Sequence, residues 1–194
     1  HNTVPGQYDS HKRVLQQLQW KGPRGNWLLK SPVHLFDLEG LLATYPDAQL
    51  VWTHRDPQLT ISSISSMVHA LIKAQGVDVT REQVGHDQWE TWRLGLAAGT
   101  DTRQSNPMVE KAIIDIAHSE VVRDPVAAVK KIYRHFGRQF STVHTARIDE
   151  FILNNPAASR IGKHKPSPEQ YGLDRAVIRA ELAPYYQRFG DYCA

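Results

Sequence analysis

The chain has 194 residues, 41% hydrophobic and 22% charged, a composition typical of a soluble globular protein with one hydrophobic core. The net charge of +3 is too small to indicate nucleic-acid binding but suits a small anionic ligand. The single cysteine, Cys193, excludes an intramolecular disulfide and favours a reducing, cytoplasmic location. The sequence has no long apolar run and no signal-peptide pattern, which argues against a transmembrane or secreted chain.

The first part of the chain alternates between helix and strand patterns. Apolar spacing predicts, in order, a helix over Tyr8–Trp20, a strand over Trp27–Leu29, a helix over Leu35–Tyr45 and a strand over Gln49–Thr53. Asp56 and Pro57 supply an N-cap and a proline at the first helical position. The helix that follows carries its apolar residues on one arc: Ile61, Ile64, Met67, Val68, Leu71 and Ile72. Parallel strands joined in this way predict a right-handed crossover in an α/β sheet, with the chemistry at the carboxyl ends of the strands.

The second part of the chain is rich in helix signals. A helix from Thr80 to Gly99 includes Trp89 and Trp92, whose shared face indicates either core packing or an apolar acceptor pocket. A polar loop over Thr100–Asn106 and a strand over Lys111–Ala117 follow, although so short an apolar run is also compatible with a helix. Further helices are predicted after the Asp124-Pro125 cap, over Thr142–Leu153 and after a capping box at Ser167–Gln170. Asp174 caps the final helix, in which Pro184 predicts a kink.

A candidate anion site lies where the second strand meets its helix. Arg55 precedes a helix N-terminus, whose N–H groups and dipole attract negative charge, and Ser63 follows two turns later. A guanidinium with a nearby hydroxyl suits one phosphate group. Without further information, Arg55 could equally be an ordinary surface arginine and Ser63 one of several scattered serines. We interpret His54, beside Arg55, as a packing residue or as a support of the site.

The order of these motifs resembles sulfotransferases that use 3′-phosphoadenosine 5′-phosphosulfate. In that family a strand ending in Lys-Ser/Thr leads to a strand ending in Arg, with a serine eight positions later, and Lys30-Ser31, Arg55 and Ser63 match these positions. The segments LLKSPVH and HRDP resemble the mostly bacterial branch. The resemblance implies an α/β, three-layer fold with a central parallel sheet of the P-loop-NTPase type and a helix-rich C-terminal half.

The resemblance also implies roles for the candidate site residues. Lys30 would contact the sulfonate of the donor, and His34 would be the base that accepts a proton from a hydroxyl or amine acceptor. The animal enzymes carry their histidine two positions after the lysine, where this chain has Pro32, so a structural role for His34 or a base elsewhere remains open. The segment Arg160, Gly162 and Lys163 resembles the basic clamp over the donor's 3′-phosphate, and no metal site is expected.

One family element has no match in the sequence. Residues 1–26 contain no glycine-rich loop of the kind that holds the 5′-phosphosulfate. We therefore expect residues 1–194 to form a single sulfotransferase-like domain that is the C-terminal part of a longer protein. The missing N-terminal segment of that protein would be its partner. An alternative is a non-catalytic module that binds a phosphoadenosine nucleotide or another protein. A relative of the P-loop kinases is less favoured, because the Arg55 and Ser63 pair addresses a 3′-phosphate.

Overall fold

A parallel pair of strands joins distant parts of the sequence. In the computed structural model, which describes residues 6–22, 25–156 and 166–193, β1 (Leu50–His54) pairs with β2 (Ile113–Ala117). The register runs from Leu50 opposite Ile113 to His54 opposite Ala117, so both carboxyl ends lie at the same edge. The strand predicted over Lys111–Ala117 is therefore confirmed for Ile113–Ala117, whereas Lys111 ends a helix.

Helices make up most of the remaining described chain. Their bounds are α1 (Gln7–Gln19), α2 (Leu38–Thr44), α3 (Pro57–Ala74), α4 (Arg81–Ser105), α5 (Pro107–Lys111), α6 (His118–Arg123), α7 (Pro125–His135), α8 (Thr142–Asn154), α9 (Arg175–Glu181) and α10 (Ala183–Phe189). Short 3₁₀ helices cover Pro32–Phe36, Pro168–Tyr171 and Gly190–Tyr192. The chain is thus a helix-rich α/β protein with a small parallel sheet.

Two compact units can be distinguished along the chain. The first consists of His1–Ala48 and Leu94–Ala112, and the second of Gln49–Arg93 and Ile113–Ala194. In the second unit the side chains of β1 pack against α10: the Trp52 and Phe189 rings lie 5.3 Å apart, and Ile116 and Phe189 are almost fully buried. Helix α4 approaches the Pro168–Tyr171 turn of this unit so closely that a Cβ on Gly85 would overlap the Tyr171 carbonyl oxygen.

The local helix signals predicted most helix starts. Asp56, Asp124 and Asp174 each accept a hydrogen bond from a first-turn amide of the helix that follows. Thr80 and Gln83 form a capping box ahead of α4. The chain from Leu35 to Tyr45 instead divides into a 3₁₀ turn and α2, because Asp37 caps the second piece through Gly40 N.

Three predictions about the elements are wrong. Trp27–Leu29 forms no strand, and Leu28 is 97% exposed, since no neighbouring strand in the described chain takes up its backbone groups. Thr100–Asn106 is not a loop, because α4 continues to Ser105 and its last turns bury Thr100 and Arg103. The Arg103 guanidinium pairs with the Glu110 carboxylate at 2.8 Å. Pro184 does not kink one continuous helix; it lies in the first turn of α10, which begins at Ala183 after a break at Leu182.

The apolar arc predicted for α3 forms only part of its buried face. Ile61, Ser62 and Ser65 are buried, whereas Met67 and Leu71 are each 55% exposed. The two serines tolerate burial because each hydroxyl donates to the carbonyl four residues earlier, at 2.8 Å. Of the tryptophans in α4, Trp89 is a core residue, and the half-buried Trp92 donates its Nε1–H to Gln88.

Candidate functional site

The carboxyl edge of the sheet carries two basic side chains. Arg55 follows β1 directly and is exposed, and His118 follows β2. Because His54 is opposite Ala117 in the register, Arg55 and His118 are neighbours at this edge. Desolvation of its ring, and then the positive charge of Arg55, lower the pKa of His118, so His118 is neutral near pH 7. At this edge Arg55 thus carries a permanent positive charge, which His118 does not.

The start of α3 differs from a helix end with free amides. Gln58 N donates to the Asp56 carboxylate at 2.9 Å, and the amides of Leu59 and Thr60 donate to the Asp56 carbonyl. Pro57 has no N–H to offer. The first-turn amides thus already have protein partners, and attraction for an anion must come from the Arg55 guanidinium and the helix dipole.

Ser63 is the exposed serine among its neighbours on α3. Ser62 and Ser65 are fully buried, whereas no hydrogen bond of the Ser63 hydroxyl is present among the described residues. Arg55 and Ser63 both belong to the β1–α3 segment of the second unit. Pro166 is the first described residue after position 156, and its carbonyl oxygen is 3.3 Å from the Ser62 hydroxyl. Arg160, Gly162 and Lys163 lie outside the described residues.

The C-terminal helices hold the first turn of α3. Tyr186 donates its hydroxyl hydrogen to the Asp56 carboxylate at 2.8 Å, and Arg175 donates to the Gln58 side chain at 3.1 Å. Burial, and then the hydrogen bond to Asp56, raise the pKa of Tyr186, so the hydroxyl remains protonated. The Arg179 guanidinium lies 4.8 Å from the centre of the Tyr186 ring. Sequence reasoning missed this support, since Asp56 and Tyr186 are 130 positions apart and no local pattern joins them.

We expect Tyr186→Phe to destabilise the protein by about 1–2 kcal/mol, because Asp56 loses a hydrogen bond from a half-buried donor. This corresponds to a fall in Tm of about 2–8 °C for a chain of this size. Thermal unfolding of the two proteins measures the effect. Tyr133→Phe is the matched control, because no hydrogen bond of the Tyr133 hydroxyl is present in the described part of the chain. Equal Tm values for all three proteins would contradict the support of α3 by Tyr186.

His34 lies in the first unit, in the 3₁₀ turn Pro32–Phe36. Its Nδ1 is 3.0 Å from the Tyr8 hydroxyl, and the two rings are stacked with their centres 5.8 Å apart. Burial, and then the charge of nearby His11, lower the pKa of His34 below its ordinary value. A neutral, half-buried imidazole with one nitrogen engaged can accept a proton at the other nitrogen.

Lys30 belongs to the same unit as His34 but has a different setting. It lies in the irregular segment before the 3₁₀ turn, and its side chain is exposed. No hydrogen bond or ion pair of the Lys30 side chain is present among the described residues. Lys30 is thus free to contact a charged ligand. The structure places Lys30 and His34 in one unit, and Arg55 and Ser63 in the other.

His54 is a packed core residue. It is completely buried and packs against the rings of Trp52 and Phe189, at centre-to-centre distances of 5.1 and 4.5 Å. Its Nε2 is 2.7 Å from the Asp115 carboxylate, and its Nδ1 is 2.8 Å from the Tyr185 hydroxyl. Both nitrogens are engaged, so the packing interpretation of His54 is confirmed.

Within residues 6–22, 25–156 and 166–193, no group of three or more His, Cys, Asp or Glu side chains is arranged to hold a metal ion. In the same residues, none of the helices combines the length and apolar character needed to cross a membrane.

Comparison with known proteins gives consistent results. Residues 4–142 match the model of the sulfotransferase family. Omega-hydroxy-beta-dihydromenaquinone-9 sulfotransferase Stf3 from Mycobacterium bovis and from Mycobacterium tuberculosis is 21% identical over 179 residues, which are 92% of this chain and 44% of the relative. The chain therefore spans less than half the length of these curated relatives.

Two solved structures share the fold. The crystal structure of sulfotransferase STF9 from Mycobacterium avium superimposes with a TM-score of 0.82 at 24% identity, over 97% of this chain and 48% of that one. For sulfotransferase STF1 from Mycobacterium tuberculosis H37Rv the TM-score is 0.71 at 30% identity, over 91% and 44%. Together with the family match over residues 4–142, these likenesses show that the chain belongs to the sulfotransferase family and resembles its bacterial members.

Proposed function

We propose that the complete protein transfers a sulfonate group from 3′-phosphoadenosine 5′-phosphosulfate to a hydroxyl or amine acceptor. The observation that carries this proposal is the exposed Arg55 at the carboxyl edge of the parallel strands, in a chain that belongs to the sulfotransferase family. We also propose that residues 1–194 form one sulfotransferase-like domain with a three-layer, P-loop-like arrangement around the sheet. In this proposal, further N-terminal chain supplies the 5′-phosphosulfate site, and the protein is cytoplasmic.

Arg55 and Ser63 hold the 3′-phosphate of the donor in this proposal. Since the first-turn amides of α3 are occupied by Asp56, the guanidinium supplies the main charge, and the exposed Ser63 hydroxyl supplies a further donor. Arg160, Gly162 and Lys163 complete the phosphate site by the resemblance. The contact of Pro166 with Ser62 supports this assignment, because it brings the chain that follows the basic segment beside Ser63.

Lys30 and His34 serve the transfer step. The acceptor oxygen forms a bond to sulfur while the bond between sulfur and the phosphate oxygen breaks, and adenosine 3′,5′-bisphosphate leaves. The Lys30 ammonium stabilises the charge that develops on the sulfonate and bridging oxygens. His34, neutral because its pKa is lowered, takes the acceptor proton on Nε2. The name of the Stf3 relatives describes an omega-hydroxy substrate, which supports a hydroxyl acceptor here.

Arg55→Ala tests the phosphate assignment. Loss of a charged hydrogen-bond partner should cost about 1.5–3 kcal/mol, so the Kd for adenosine 3′,5′-bisphosphate should rise about tenfold to a hundredfold in the complete protein. Arg55→Lys should retain part of the affinity, because an ammonium keeps the charge but loses the planar fork. Isothermal titration measures both, and Arg147→Ala, which removes an exposed arginine from α8, is the charge-matched control.

An unchanged Kd in Arg55→Ala would contradict the phosphate site. Nucleotide binding that depends on Arg55 without any sulfonate transfer by the complete protein would favour the non-catalytic module instead.

A further inference from the structure

Tyr8 holds His34 in a defined position. Tyr8 is on α1 and only 7% exposed, and its hydroxyl oxygen is 3.0 Å from His34 Nδ1. The planes of the two rings are inclined by 27° and their centres are 5.8 Å apart, so the phenol approaches the imidazole on its Nδ1 side. Helix α1 is itself fixed nearby, because Gln7 donates to the Asp37 carboxylate that caps α2. The orientation of the His34 ring is therefore set by a buried residue 26 positions earlier in the chain.

This contact determines which nitrogen of His34 can react. With Nδ1 facing the phenol, only Nε2 is left to meet an acceptor. A neutral imidazole carries its hydrogen on one nitrogen, and a tyrosine hydroxyl can either donate or accept. For Nε2 to take a proton, Nδ1 must carry the ring hydrogen and donate it to the phenol oxygen. The opposite direction would place the hydrogen on Nε2 and make His34 a donor.

We propose that Tyr8 is a positioning residue for the transfer reaction: its phenol oxygen accepts the Nδ1–H of His34 and so keeps Nε2 free as the base. This inference rests on the proposed function of His34. The role is that of a group which fixes the tautomer and orientation of a catalytic histidine without taking its proton.

The surrounding charges are compatible with this direction. In the part of the chain that the structure describes, the titratable groups that act on the Tyr8 and His34 pair are His11 on α1, Asp37 before α2 and Tyr45 after α2. Burial, then Asp37 and Tyr45, raise the pKa of Tyr8 to about 12, so the phenol stays neutral and does not remove the Nδ1 hydrogen. Burial, then His11, lower the pKa of His34, so the imidazole is neutral at pH 7.

The tautomer can be measured directly. In the complete protein labelled with ¹⁵N-histidine, long-range ¹H–¹⁵N correlation spectra at pH 7.5 distinguish Nδ1–H from Nε2–H, and His34→Gln identifies the His34 signals. We expect the wild-type protein to show Nδ1–H at His34 and Tyr8→Phe to lose this preference. A wild-type spectrum with the hydrogen on Nε2 would overturn the proposal, and that result requires no variant of Tyr8 to fold.

Kinetics provide the second measurement. Tyr8→Phe should lower kcat by about tenfold to a hundredfold with little change in the KM for the donor, because supporting hydrogen bonds of reactive groups typically contribute this much. Tyr45→Phe is the matched control: it removes a hydroxyl that is 2.7 Å from His11 Nδ1 and should change kcat less than about twofold. An equal loss in both variants, or no loss in Tyr8→Phe, would overturn the positioning role.

The two proposals fail in different ways. If His34 carries its hydrogen on Nδ1 but His34→Gln retains full turnover, the base is another group and the proposed role of His34 is wrong. If His34→Gln abolishes turnover while the hydrogen is on Nε2, the role of Tyr8 is wrong and His34 acts as a donor.

Discussion

Lys30→Ala is expected to lower the kcat of the complete protein by about 10²–10³-fold, the loss typical when one group that stabilises developing charge is removed. The Kd for adenosine 3′,5′-bisphosphate should change little, because this product lacks the sulfonate that Lys30 contacts in the proposed reaction. The exposed setting of Lys30, with no ion pair among the described residues, means that its removal disturbs little of the fold. Steady-state kinetics and nucleotide titration on the same samples separate the two effects.

Lys111→Ala is the control for this experiment, because Lys111 is an exposed lysine of the same unit at the end of α5. A loss of nucleotide affinity equal to the loss of kcat would show that Lys30 binds the nucleotide and does not act in the transfer step. Full turnover in Lys30→Ala would remove Lys30 from the site.

The 194-residue chain by itself is expected to show no sulfonate transfer. Residues 1–26 contain no recognisable loop for the 5′-phosphosulfate, so the proposed contacts hold the donor mainly at its 3′-phosphate. A donor held at one end can pivot, and correct positioning can account for about 7–11 kcal/mol of a barrier. Such a loss corresponds to a rate at least 10⁵-fold lower.

The assay compares sulfonate transfer by the 194-residue chain with transfer by the complete protein at equal concentration. Weak binding of adenosine 3′,5′-bisphosphate that Arg55→Ala removes, together with a cooperative thermal transition, would show that an inactive chain is folded. Exposure of Trp27, Leu28 and Leu29 makes this control necessary, because exposed apolar side chains promote aggregation. Robust turnover by the chain alone would mean that the donor site has been misassigned.

The sequence by itself determined the features that depend on neighbouring residues. Asp56, Asp124 and Asp174 identified helix starts because an N-cap bond reaches only two or three residues along the chain. The β1–α3 segment, with Arg55 between strand and helix, could also be predicted, because its strand and helix patterns lie in consecutive residues. The motifs around Lys30, Arg55 and Ser63 indicated the sulfotransferase family, which the match over residues 4–142 confirmed.

Only the tertiary structure decided which side chains are buried and which polar groups meet. Trp27–Leu29 has the composition of a strand but forms none, because a strand also requires a neighbour for its backbone groups. Ser62 and Ser65 are buried in place of Met67 and Leu71, since internal hydrogen bonds reduce the cost of burying hydroxyls. The hydrogen bonds between Tyr8 and His34 and between Tyr186 and Asp56 span 26 and 130 positions. Hydrophobic periodicity carries no information about such pairs, because their partners are chosen by the packing of whole helices.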